Sequence, residues 1–140
     1  MYVHAEKPAM TDPIIIEDEM PQVIPGDGSA VAVPSGQAVT FLDLVLNAPG
    51  TGDSVARFRF IAPAIAKTGG TVDSETASAD MAALCAGFAL PRITAITPAP
   101  SQVIISFSDK PVPFGEATPD VTQFFEAYTI KDNACIWEAF

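Results

Sequence analysis

The sequence predicts an α+β domain: an antiparallel sheet of about four to six strands packed on one α-helix, preceded by an extended acidic arm. Three observations carry this. Short runs of strand length alternate apolar with polar residues. One stretch, near 74–89, has helical spacing of its apolar residues. The chain has 140 residues, 49% of them hydrophobic, which suits one domain with one core.

Residues 1–30 form the arm. They hold six acids against Lys7 alone, together with Pro8, Pro13, Pro21 and Pro25, and show no sustained periodicity. Such a segment stays extended or partly disordered. Ile14-Ile15-Ile16 is expected to pin it to the body as a short edge strand. The run Glu17-Asp18-Glu19 reads as a solvated tail, because a calcium site needs several converging oxygen ligands.

The body, 31–140, follows in order. Val31–Val33 is a short apolar run ended by the turn Pro34-Ser35-Gly36. A strand over Ala38–Leu46 puts Val39, Phe41 and Val45 on one face. Thr40, Leu42, Leu44 and Leu46 take the other, so both faces are buried. Asn47 to Asp53 is a turn rich in glycine and proline. Val55–Ile61 alternates cleanly, Phe58 and Phe60 one way and Arg57 and Arg59 the other. These two strands make a hairpin.

The helix follows Gly69-Gly70. Asp73 or Ser74 caps it, and Glu75 favours its positive end. Ala77, Met81, Leu84, Cys85 and Phe88 share its buried face, and Pro91 marks its stop. Residues 91–101 hold three prolines and read as a loop. Gln102–Phe107 is a strand with Val103, Ile105 and Phe107 on one face. The segment Lys110–Glu116 is rigid and turn-rich. The last hairpin runs Gln123–Ile130, turn Lys131-Asp132-Asn133, and Ala134–Phe140. Its second arm puts Cys135 and Trp137 on one face, which makes Trp137 a core anchor.

Composition removes several functions. Seven Lys+Arg against 17 Asp+Glu give a net charge of −10, which argues against nucleic-acid binding. No apolar run approaches the roughly 20 residues of a membrane span. The one histidine, His4, lies in the arm, so the body has no base for a Ser-His or Cys-His pair. Thiolate–imidazole metal sites fail for the same reason, and no cofactor motif is present. No signal peptide is visible, although Val3-His4-Ala5 looks like the end of a cleavage site. The two cysteines are either independent buried thiols in the cytoplasm or bridged in an oxidising compartment.

Several stretches together resemble a known family. They are Ala32-Val33-Pro34-Ser35-Gly36-Gln37, Ala56-Arg57-Phe58-Arg59-Phe60, Ala79-Asp80-Met81-Ala82-Ala83-Leu84-Cys85, Pro111-Val112-Pro113-Phe114-Gly115-Glu116, Thr122-Gln123-Phe124-Phe125-Glu126-Ala127-Tyr128 and Ala134-Cys135-Ile136-Trp137-Glu138. The chain is similar, over roughly 31–140, to an uncharacterised family of small exported proteins from alphaproteobacteria. The resemblance implies a periplasmic or secreted domain with Cys85 and Cys135 bridged. It implies no activity and no catalytic residues. Members carry a cleavable leader, absent from this chain, and the long acidic arm departs from their usual pattern. Such proteins are sometimes labelled acetolactate synthase. Gly26-Asp27-Gly28 and Asn47 superficially fit the magnesium turn of thiamine-diphosphate enzymes, but no strand-to-helix context surrounds them and the chain is too short.

The leading expectation is a non-catalytic domain that binds a protein or envelope component. Arg57 and Arg59, about 7 Å apart on one strand face, suit an anionic group or an acidic partner. Glu126 or Glu138 on a neighbouring strand is the expected internal partner for them. The segment holding Lys110, Phe114 and Glu116 is a second candidate, as ordered loops on a sheet often carry binding. Two rivals stand beside this. One is a small enzyme using two carboxylates from Asp109, Glu116, Asp120, Glu126 and Glu138. The other is a structural or secreted subunit docking through the acidic arm.

Overall fold

The computed structural model describes residues 14–15, 22–47, 54–116 and 120–139. His4, the acidic run Glu17-Asp18-Glu19 and most of the turn after Asn47 lie outside the described residues. In chain order the elements are β1 (Ile14–Ile15), β2 (Gln22–Pro25), β3 (Thr40–Leu46), β4 (Val55–Ile61) and α1 (Ser74–Leu84). A 3₁₀ turn (Pro63–Ile65) lies between β4 and α1, and a π-turn (Cys85–Ala89), α2 (Leu90–Ile93), β5 (Ile96–Thr97), β6 (Gln102–Ser108), β7 (Gln123–Lys131) and β8 (Ala134–Glu138) follow α1.

Six strands form one sheet in the order β2-β3-β4-β6-β7-β8, and β1 pairs separately with β5. The sheet is antiparallel except between β4 and β6. Those two are parallel because the helical segment lies between them and returns the chain in the same direction. The fold is therefore α+β with a mostly antiparallel sheet, as the patterning indicates. The β7–β8 hairpin closes on Asp132 and Asn133, both left-handed at φ 53° and 60°. That pair of positive angles matches the twist of two-residue hairpins, and Asp and Asn tolerate it.

Part of the segment expected to be an arm belongs to the body. β2 pairs with β3, and Ile24 is buried in the core. Ile14 and Ile15 pair with Ile96 and Thr97, so the 91–101 stretch is not purely loop.

The helix begins where expected. Asp73 is extended, and its carboxylate accepts the backbone N–H of Thr76 at 2.8 Å. Ala77, Met81, Leu84, Cys85 and Phe88 are buried as their spacing requires. Pro91 does not stop it. The chain widens into the π-turn, where the Leu90 N–H donates to the Cys85 carbonyl, and α2 continues beyond. The wider turn accommodates the proline ring, which in a straight helix clashes with the carbonyl four residues back. Pro91 then sits in the first turn of α2, where no N–H is needed.

Five phenylalanines knit helix to sheet. Phe41, Phe58, Phe60, Phe88 and Phe107 stack through ring centroids 4.9–6.3 Å apart. Phe41 shares this face with Leu44 and Leu46, contrary to strict alternation. A β-bulge between Phe41 and Asp43 shifts the register by one and reverses the faces beyond it.

Asp80, fully buried on α1, was not foreseen. Its carboxylate accepts from the backbone N–H and hydroxyl of Ser35 and from Gln37 Nε2. The helix is thereby tied to the turn after Val33. Cys85 and Cys135 are joined as a disulfide, with Cα atoms 6.3 Å apart, which fastens β8 to the π-turn. Trp137 is not a core anchor. It shares the face of Cys135 but is 58% exposed, and its Nε1 donates to Glu126 Oε1 at 3.1 Å. β8 is the edge strand, so only its end near Cys135 lies against the helical segment.

Candidate functional site

The sheet face opposite the helix holds the site. Arg57 and Arg59 of β4 point there because Phe58 and Phe60 are committed to the core. Arg59 lies between Asp43 on β3 and Ser106 on β6. Its Nε and Nη2 donate to the two oxygens of Asp43, each at 2.7 Å. Its Nη1 donates to the Val112 carbonyl at 2.9 Å, and Phe114 lies 5.5 Å from the guanidinium carbon. Three of its donors are spent and its charge is matched.

The partner expected for these arginines was Glu126 or Glu138, and neither serves. Glu126 projects to the helix side, where Ser78 and Trp137 donate to it. Glu138 accepts from Thr129 Oγ1 at 2.8 Å. The bulge at Leu42 sets Asp43 opposite Arg59 instead. Asp43 carried a signal in the sequence: it is the lone charged residue inside a strand whose other residues, Thr40 apart, are apolar.

Arg57 is different. It lies between Val45 and Ile104, is half-buried, and its Nε is buried without an acceptor. Among the described residues the one ion pair is Arg59–Asp43. Burial, and then the neighbouring Arg59, hold the Arg57 guanidinium below its ordinary pKa. It remains charged at neutral pH, as guanidinium does.

The loop after β6 completes the site. Val112 is buried, Phe114 half-buried, and Gly115 turns the chain at φ 89°. The loop folds back over the two arginines and encloses a cleft of about 140 Å³. Ser106 and Ser108 line it from β6, and Gln123 and Phe125 from β7. The two candidates from the sequence thus meet in one place. Phe114 and Glu116 line the cleft with Arg57 and Arg59, while Lys110 is exposed outside it. The serines and Phe125 were missed, since nothing in the sequence tells which loop covers which strand. Phe125 is 57% exposed at the edge of this cleft.

The carboxylate candidates do not gather. Asp109 accepts the Thr122 backbone N–H at 2.9 Å, and of the five only Glu116 lines the cleft. Among the described residues no group of three or more His, Cys, Asp or Glu is placed to hold a metal ion. Asp27 closes a local turn, accepting the Ser29 N–H at 2.9 Å, and bonds from Ser29 hold its pKa below the ordinary value. The Gly26 N–H donates to Leu42 at the start of β3, whereas Asn47 follows the end of that strand. Asp27 and Asn47 therefore do not converge. Among the described residues no helix is long and apolar enough to cross a membrane.

Residues 15–140 match the model of a family of unknown function (DUF6497). No curated protein and no solved structure matches the chain.

Proposed function

The chain belongs to that family, and from its own geometry we propose that it is a non-catalytic, exported domain that binds a protein or envelope component on the open face of its sheet. One observation carries the reading: Arg57 is a half-buried cation with no carboxylate paired to it among the described residues, opening on a cleft beside exposed Phe125. A half-buried charge without a counter-charge is costly, and an anion bound in the cleft lowers that cost. An exposed aromatic beside a cationic anchor is the composition of binding hot spots. The presence of Glu116 alone among the carboxylate candidates favours binding over acid–base catalysis, which needs two. The disulfide supports export, since such bridges persist in oxidising compartments.

A photo-crosslinking residue placed at Phe125, in the full chain in its source organism, tests this. Exposed Ala86, beyond the core face of the helix, is the control position. The expected result is one dominant adduct at Phe125, none at Ala86, and loss of the adduct in Arg57→Gln. Equal capture at both positions, or capture indifferent to Arg57, overturns the reading.

A further inference from the structure

We propose that the cleft takes a single carboxylate carried on an apolar or aromatic body, the carboxylate on Arg57 and the body between Phe114 and Phe125. This deepens the binding reading above and rests on it.

The charge count selects a monoanion. Arg59 is neutralised by the two-pronged bond to Asp43, so of the two arginines that line the cleft Arg57 is the one with no ion pair among the described residues. Glu116 at the cleft opposes any second negative charge on the ligand. The whole chain, at a net −10, opposes it again. A phosphate dianion is disfavoured on both counts. A carboxylate matches the planar fork of a guanidinium, with two parallel N–H···O bonds. The size agrees: about 140 Å³ holds a carboxylate and a small body but no nucleotide. The walls agree too. Phe114 and Phe125 present aromatic surface, while Ser106 and Ser108 offer hydroxyls from the floor.

The probes are 3-phenylpropanoate, acetate and inorganic phosphate, titrated into the full chain. The readout is the NMR signal of the Arg57 Nε–H, assigned by its loss in Arg57→Gln. The expected result is that 3-phenylpropanoate shifts this signal, at least tenfold more tightly than acetate, and phosphate leaves it in place. In Phe125→Ala, with the fold checked by an otherwise unchanged amide spectrum, 3-phenylpropanoate falls to the acetate level. If phosphate shifts the signal and the carboxylates do not, the anion site stands and the carboxylate assignment is overturned. If Phe125→Ala binds 3-phenylpropanoate as tightly as the parent, the assignment of the apolar body is overturned. If no probe moves Arg57, this inference is overturned, while the binding reading is decided by the crosslinking at Phe125.

Discussion

Asp43 and Tyr128 show how a single side chain sets the chemistry around it. Asp43 is 8% exposed and Arg59 12%, so their two-pronged pair is largely shielded from water. Removing one partner strands the other charge, which for a buried pair costs about 3 kcal/mol. Asp43→Asn is expected to lower the urea midpoint correspondingly, with an unchanged slope. Tyr128 has a buried hydroxyl without an acceptor. Burial first, and then the charge of Glu126, push its phenol above the ordinary value. The neutral phenol is the form the fold favours. Its contribution is intact below the unfolded value near pH 10, and is lost as pH rises past it. Tyr128→Phe is expected to match the parent at pH 7 and to abolish its loss of stability above about pH 10, read from denaturation midpoints across pH. The alternation in Val55–Ile61 made Arg57 and Arg59 legible in the sequence. The pairing of Asp43 was hidden, because one inserted residue at Leu42 reverses the faces of β3.

The helical segment and the edge strand it holds were legible in different degrees. The start of α1 was readable from Asp73, since an N-cap acts through a bond only three residues long. Its continuation past Pro91 was not, because the π-turn depends on how Cys85 and Phe88 pack on the sheet. The exposure of Trp137 was hidden for a related reason. Period-2 alternation assigns a face, but how far a helix extends over that face is a tertiary property. β8 bonds to β7 on one side only, and the disulfide is its other anchor. A bridge across a separation of 50 residues stabilises by about 4 kcal/mol in the chain-entropy model. The double replacement of Cys85 and Cys135 by Ser is expected to lose about that much in equilibrium denaturation. Amide exchange should quicken first at 134–138, before the β4 and β6 amides respond.

At the scale of the whole molecule, the sheet is two three-stranded halves, β2-β3-β4 and β6-β7-β8, joined along the parallel β4–β6 seam. The β3–β4 and β7–β8 hairpins and the β6 strand were visible as patterns close in sequence, whereas β2 lay hidden in the stretch read as an arm. The seam was hidden too, because its partners are separated by the helical segment and only packing declares them neighbours. β2 and β8 are the two outer strands, so Gln22 and Glu138 stand at opposite edges. Tension applied between them acts across the strands and peels β8 from its Glu138 end. The peeling meets a covalent stop at Cys135, where load passes through sulfur into the helical segment. The intervening segment 86–134, two strands of the seam's far half within it, then carries no force. In single-molecule stretching between Gln22 and Glu138, a reductant is expected to add about 170 Å to the fully drawn chain, at up to roughly 3.4 Å per released residue. The bridge thus acts as a strain limiter, confining mechanical damage on this side of the sheet to the last three residues of β8.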